Sequence, residues 1–185
     1  MAIDLKKIIA EIESGANNKL PPVHLWQPEV VGEMDLVIDS QQQWFHEGAA
    51  FQRQSLVKLL ASVMRLDDGE YYLVTPTEKM KIHVEDVPFS IISILTDKSE
   101  DGQNLGYTLI NNTEQSIKLD AQCQWQLRQS EGVSVPYVEV RNGLWAKVSR
   151  AVYYQMIELA QLSDDGCEMV LHSHGSQFSL GAVED

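Results

Sequence analysis

Long apolar runs are missing from this sequence of 185 residues. No stretch approaches the roughly 20 residues that a membrane-spanning helix needs. Cysteine is scarce. Cys123 and Cys167 are too few for a disulfide framework, form no CxxC, and sit in alternating apolar segments, where a thiol acts as a small hydrophobe. Cationic side chains are also few, 14 Lys and Arg against 27 Asp and Glu, for a net charge of −13. That field repels phosphate backbones and anionic lipid surfaces, so neither nucleic acid nor membrane is expected as a partner. There is no GxSxG elbow, no P-loop and no GxGxxG. Asp67-Asp68-Gly69-Glu70 lacks the further ligands of a calcium loop. The segment Met1 to Ser14 carries acids and no apolar core, unlike a secretory signal. The expectation is a cytoplasmic protein without cofactor, in which no motif specifies a reaction.

What is present is ordinary globular composition, 44% apolar and 22% charged, arranged around an internal repeat. Arg53 stands fourteen residues before Asp67, and Arg150 fourteen before Asp164, with Asp-Asp-Gly at both ends. The apolar registers agree in between: Leu56, Val57, Leu59, Leu60 and Val63 fall opposite Tyr153, Tyr154, Met156, Ile157 and Ala160. This is helical spacing, so each segment should bury one face, and the Asp-Asp-Gly should end each helix. Trp44 and Trp145 lie upstream of the two arginines, and Tyr71 to Val74 corresponds to Glu168 to Leu171. A fixed order of strand, tryptophan, arginine, helix and turn points to duplication.

Along the chain, Asp4 to Glu13 reads as a short helix with Leu5, Ile8, Ile9 and Ile12 on one face, Asp4 as N-cap and Ser14-Gly15 as its stop. Asn17 to Glu33, with three prolines, reads as a loop anchored by Trp26. Strands are expected over Met34–Asp39, Gln43–His46, Glu70–Thr75, Met80–Val84 and Phe89–Leu95, the last apolar on both faces. Leu105–Ile110 with Gln115–Leu119, and Tyr137–Val140 with Leu144–Val148, read as hairpins, the second through Asn142-Gly143. Cys123, Trp125 and Leu127 mark a one-sided strand. The fold class is therefore α+β: two structurally similar halves, each with antiparallel strands and one main helix, preceded by a short N-terminal helix. The expected divisions are residues 1–33, 34–97 and 98–185, with the repeated motif at 138–180 and the acidic turn Asp97 to Gly102 at the boundary.

Several segments resemble one bacterial family. They are Trp44-Phe45-His46-Glu47-Gly48, Arg53, Asp68 to Pro76 with Glu78-Lys79, Val84 to Phe89, Pro136 to Leu144, Arg150 to Ala160 and Gly175 to Gly181. The run Leu73-Val74-Thr75-Pro76-x-Glu78-Lys79 with Glu85-Asp86-x-Pro88-Phe89 is the most specific part. The family is domain of unknown function 1285. The resemblance covers nearly everything after Pro28 and implies two similar α+β halves and a regulatory or signalling role, with no established activity. His172-Ser173-His174-Gly175 departs from the small residues of the family pattern at this last turn.

Arg53 and Arg150 lead the candidate residues. A cation at a helix start opposes the macrodipole, so tertiary structure or function must have placed it there. One explanation is an ion pair with an acid. The other is an anionic ligand or partner carboxylate gripped in a groove between the halves. Thr75, Glu78 and Lys79 form a polar turn that could recognise a ligand or merely bond its own backbone. Trp44, Tyr137 and Arg141 complete the ligand-binding set. Glu85 and Asp86, adjacent on a strand, point to opposite faces. His172 and His174 share one face at i, i+2 spacing, but zinc needs three or four ligands, so no metal is expected. The expected function is non-catalytic and regulatory: an unidentified protein partner or a small anionic ligand is bound. A hydrolase using the acids and histidines is the alternative, and a structural subunit with apolar patches near Trp26 or Trp125 is the third reading. Catalysis requires at least two of Glu78, Glu85, Asp86, His172 and His174 to line one pocket. Ligand binding requires an apolar cavity with an arginine at its mouth.

Overall fold

A computed structural model describes residues 5–14, 20–130 and 133–183 of the chain. The chain divides into two compact units, Met1–Pro88 and Phe89–Asp185. The first contains α1 (Leu5–Ser14), β1 (Val30–Ile38), β2 (Trp44–His46), β3 (Ala49–Ala50), α2 (Gln54–Ser62), β4 (Met64–Asp67), β5 (Glu70–Val74) and β6 (Glu78–Val84). The second contains β7 (Phe89–Lys98), β8 (Asn104–Asn111), β9 (Ser116–Lys118), β10 (Trp125–Ser130), β11 (Val133–Arg141), β12 (Leu144–Val148), α3 (Arg150–Leu159), β13 (Gln161–Leu162), β14 (Glu168–Ser173) and β15 (Ser176–Ala182). The fold is α+β, with two similar halves and one main helix in each.

The first unit folds its strands into a sheet of order β3-β2-β1-β6-β5-β4. Its central pair, β1 and β6, is parallel, and every other neighbour is antiparallel. The second unit gives β10-β11-β12-β7-β8-β9, again with a parallel central pair, β7 and β12, and antiparallel wings. In both, the chain runs from the centre to one edge, then from the other edge back to the centre. The structural repeat thus lays β1–β6 onto β7–β12. It is not the correspondence suggested by Arg53 and Arg150. Helix α2 joins the two edge strands of the first sheet, whereas α3 follows the completed second sheet and leads into a separate three-stranded sheet, β13-β14-β15.

Further expectations need correction. The boundary expected after Asp97 falls at Pro88/Phe89. Phe89–Lys98 bonds to β12 and β8, so the second unit owns this strand, and although it is central, Ile92 and Leu95 are exposed. The Asp-Asp-Gly triplets do not end helices. α2 stops at Ser62, whose hydroxyl bonds back to the Leu59 carbonyl at 2.6 Å. Val63 and Met64 are buried, and the chain goes straight into β4. Asp68 (φ 51°) and Gly69 (φ 83°) instead close the β4–β5 hairpin, the double left-handed turn that suits strand twist. Val30, Val31, Gly32 and Glu33, expected in the loop, belong to β1.

Where pattern and structure agree, local chemistry decides. Ile8 and Ile12 are buried on one face of α1; the Asp4 cap and Gly15 stop lie outside the described residues. Asn142-Gly143 (φ 45° and 78°) turns β11 into β12. Leu36, Ile38, Leu60, Leu73 and Met80 fill the first core; Phe89, Ile91, Leu109, Leu144 and Leu171 are buried in the second. The proline-rich loop is held by Arg65, whose Nη1 donates to the carbonyls of Val23 and Trp26 at 2.8 Å each.

Candidate functional site

The second unit opens a cavity where β12 leaves its sheet. The β11–β12 ladder begins at Tyr137↔Lys147, so Val133 to Pro136 run past it, paired only with β10. Pro136 has no N–H to offer a strand on that side. Beyond Val148 the chain bonds once more to β7, Ser149 N–H to Ile91 carbonyl at 3.1 Å, and turns into α3. The space left over, about 390 Å³, is lined by Val133, Val135, Pro136, Val148, Tyr153 and Tyr154, with Ser134, Lys147 and Arg150 supplying polar groups.

Arg150 is the first residue of α3, behind the N-cap Ser149, whose Oγ accepts from Val152 N–H. Its guanidinium donates from Nε and Nη2 to the Tyr154 hydroxyl at 3.3 and 3.1 Å and lies 5.6 Å from the centre of that ring. The hydroxyl holds Arg150 above its ordinary pKa. Tyr153 donates to the Leu180 carbonyl at 2.9 Å; partial burial, with Tyr154 beside it, raises its pKa and keeps it protonated. The pair Arg150 and Tyr154, one helical turn apart, is the only local signal of this site.

The remaining candidates serve their own units. Thr75, Glu78 and Lys79 form a self-contained turn: Thr75 Oγ accepts from Glu78 N–H at 3.1 Å, and the Thr75 N–H donates to the Glu78 carbonyl at 2.8 Å. Lys79 pairs with Asp67 at 2.6 Å and lies 4.0 Å over the Tyr72 ring. Partial burial disfavours the Asp67 carboxylate, but hydrogen bonds from Lys79 and Arg65 outweigh it, and its pKa is lowered. Trp44 is buried edge-on to Phe51, and its indole N–H meets no acceptor among the described residues. Arg53 is an exposed N-cap whose side chain makes no capping bond. Arg141 donates to Gln115 Oε1 at 2.8 Å beside the Phe89 ring, and burial lowers its pKa to about 10. Tyr137 is buried under the Arg128 guanidinium, 4.3 Å from its ring centre. Glu85 accepts from the Ser40 N–H.

His172 and His174 do converge. They line a more polar cavity of about 260 Å³ with Asn104, Tyr107, Gln161 and Ser173. His174 Nε2 meets Asp97 Oδ2 at 2.9 Å, and Thr108 Oγ donates to the same oxygen at 2.7 Å. Partial burial disfavours the Asp97 carboxylate, but these bonds prevail and its pKa is lowered. In the sequence Asp97 belongs to an acidic turn, and its partner lies 77 positions away. Ser173 Oγ accepts from the Tyr107 N–H at 2.8 Å, so it serves the backbone. Among the described residues no group of three or more His, Cys, Asp or Glu could hold a metal ion.

Comparison with known proteins gives no function. No curated protein matches the chain. A crystal structure of a DUF1285 family protein from Silicibacter pomeroyi DSS-3 is similar, with 30% identity, TM-score 0.83 and coverage of 95% of each chain. One from Shewanella baltica OS155 shares the fold at 24% identity and TM-score 0.53, over 68% of this chain and 91% of that one. The family model described as "Domain of unknown function (DUF1285), N-terminal domain" matches residues 21–87, and that of "Protein of unknown function (DUF1285), C-terminal domain" residues 88–180. The chain belongs to the DUF1285 family.

Proposed function

We propose that this is a non-catalytic regulatory protein of the cytoplasm, whose second unit binds a small organic anion in the cavity beside Arg150. The observation that carries this reading is an apolar-lined cavity with an arginine at its edge. The position of Arg150 gains a reason. A cation in the first turn of a helix is disfavoured by about 0.3–1 kcal/mol, and an anion bound beside it reverses the sign of that interaction. Tyr154 holds the guanidinium in place beforehand, which lowers the ordering cost of binding. No described helix is long and apolar enough to cross a membrane, and both thiols are free, which supports the cytoplasmic assignment. The test is native mass spectrometry on protein purified without chelators, followed by titration calorimetry with any small molecule retained. Binding weakened by Arg150→Gln supports the reading; binding indifferent to it removes it.

A hydrolytic reading has one observation in its favour, the Asp97–His174 pair at the smaller cavity. Asp97 would orient the imidazole for proton transfer. A panel of esters and amides tests this: turnover lost in His174→Gln would displace the non-catalytic reading.

A further inference from the structure

We infer that the ligand beside Arg150 is an amphipathic monocarboxylate, with one anionic head and an unbranched aliphatic or arylalkyl tail. This rests on the reading of that cavity as the binding site. The charge count comes first. Among the described residues, Arg150 and Lys147 are the cations that line the cavity, and no acid is in that lining. Arginine matches a carboxylate with two parallel donors. The chain as a whole carries −13, which repels ligand charge beyond what these two cations meet, so a monoanion is the least repelled.

The walls come second. Val133, Val135, Pro136 and Val148 offer no hydrogen bond through their side chains, and the Tyr153 hydroxyl is committed to the Leu180 carbonyl, which leaves the Tyr154 and Ser134 hydroxyls as the neutral donors of the described lining. A phosphate or a nucleotide has more oxygens and ring edges than these few donors can meet, so it would lose water here with only partial replacement. An alkyl or phenyl tail loses nothing and covers exposed Val133 and Tyr154. The volume, about 390 Å³, lies at the small end of ligand pockets, which suits a medium-chain acid and not a long-chain lipid.

The experiment is calorimetric titration of the full chain and of Arg150→Gln with octanoate, 3-phenylpropanoate, 1-octanol, inorganic phosphate and adenosine monophosphate. Arg150 is exposed, and matching thermal midpoints will show that the variant is folded. Saturable binding of octanoate or 3-phenylpropanoate is expected, about tenfold weaker in Arg150→Gln and about tenfold weaker for 1-octanol. Phosphate and the nucleotide should give no saturable heat. If either binds as tightly as the carboxylates and depends on Arg150, the ligand class is wrong while the cavity reading stands. If 1-octanol matches octanoate and Arg150→Gln changes nothing, the head group is not recognised and the class falls. If no anion binds in an Arg150-dependent way, the class and the cavity reading both fail.

Discussion

The two units share a six-stranded sheet with the same strand order and senses, yet they use their helices differently. In the first, α2 bridges the edge strands β3 and β4, and Val57, one turn from its start, is 6% exposed. In the second, the edge strands β9 and β10 are joined without a helix, and α3 is added after the sheet. Tyr154, on that added helix, is 53% exposed. The helix inside the first sheet's connection buries side chains in the core, while the added helix of the second unit lines a cavity and supports an arginine through Tyr154. The candidate cavity lies where strands of the shared sheet meet the helix appended to it.

The contrast can be broken most severely where the appended sheet meets β8. His174 N–H donates to the Leu105 carbonyl, and a Cβ on Gly106 would lie 2.5 Å from His174 Cδ2 and 2.6 Å from Ser173 Oγ. Gly106→Ala should cost more than about 2 kcal/mol and detach β13–β15. Gly69→Ala in the first unit has nothing within 4 Å and only its positive φ to oppose it, so it should cost about 1–2 kcal/mol. Urea midpoints for the two variants should fall in that order. Equal midpoints would mean that the appended sheet is not held there.

Next in size is Arg65→Ala. It removes two bonds to the proline-rich loop and the pairing with Asp67, for about 1.5–3 kcal/mol by chemical denaturation. Arg150→Gln should change stability by less than about 0.5 kcal/mol, because its guanidinium is exposed. A large loss in Arg150→Gln would recast that arginine as structural. Smaller still is an acid effect. Asp67 and Asp97 have folded-state pKa values below their ordinary ones. Each therefore contributes stability that is present above the unfolded value of about 3.9 and is lost as pH falls through the folded value. Asp67→Asn and Asp97→Asn should each flatten the decline in thermal midpoint below about pH 4, one in either unit.

Much of the fold was legible because it is local. Asn142-Gly143 announces its hairpin, β12 occupies the expected Leu144–Val148, and the amphipathic helices are where their periods put them. The misreadings share a cause. Met64–Asp67 continues the apolar pattern of α2, and only its pairing with β5 shows that it is a strand. Phe89–Lys98 sits next to the first half in sequence but bonds to β12, far along the chain. The candidate site followed the same rule. Arg150 stood out because it defies a local preference, whereas Val133, Pro136 and Lys147 come to it only through the end of the β11–β12 ladder. Thr75, Glu78 and Lys79 looked like a recognition loop because a polar turn has the same composition whether or not it serves a ligand.

The parallel pair at the centre of each sheet has a consequence for synthesis. β1 cannot find β6, nor β7 find β12, until every strand of that unit has been made, because the first and last strands of each are the ones that meet. During translation each nascent unit can close its hairpins early but must wait for its last strand to seal the centre. The ribosome thus releases the two sheets as two late, all-at-once closures, each preceded by an interval in which an open β1 or β7 edge needs protection.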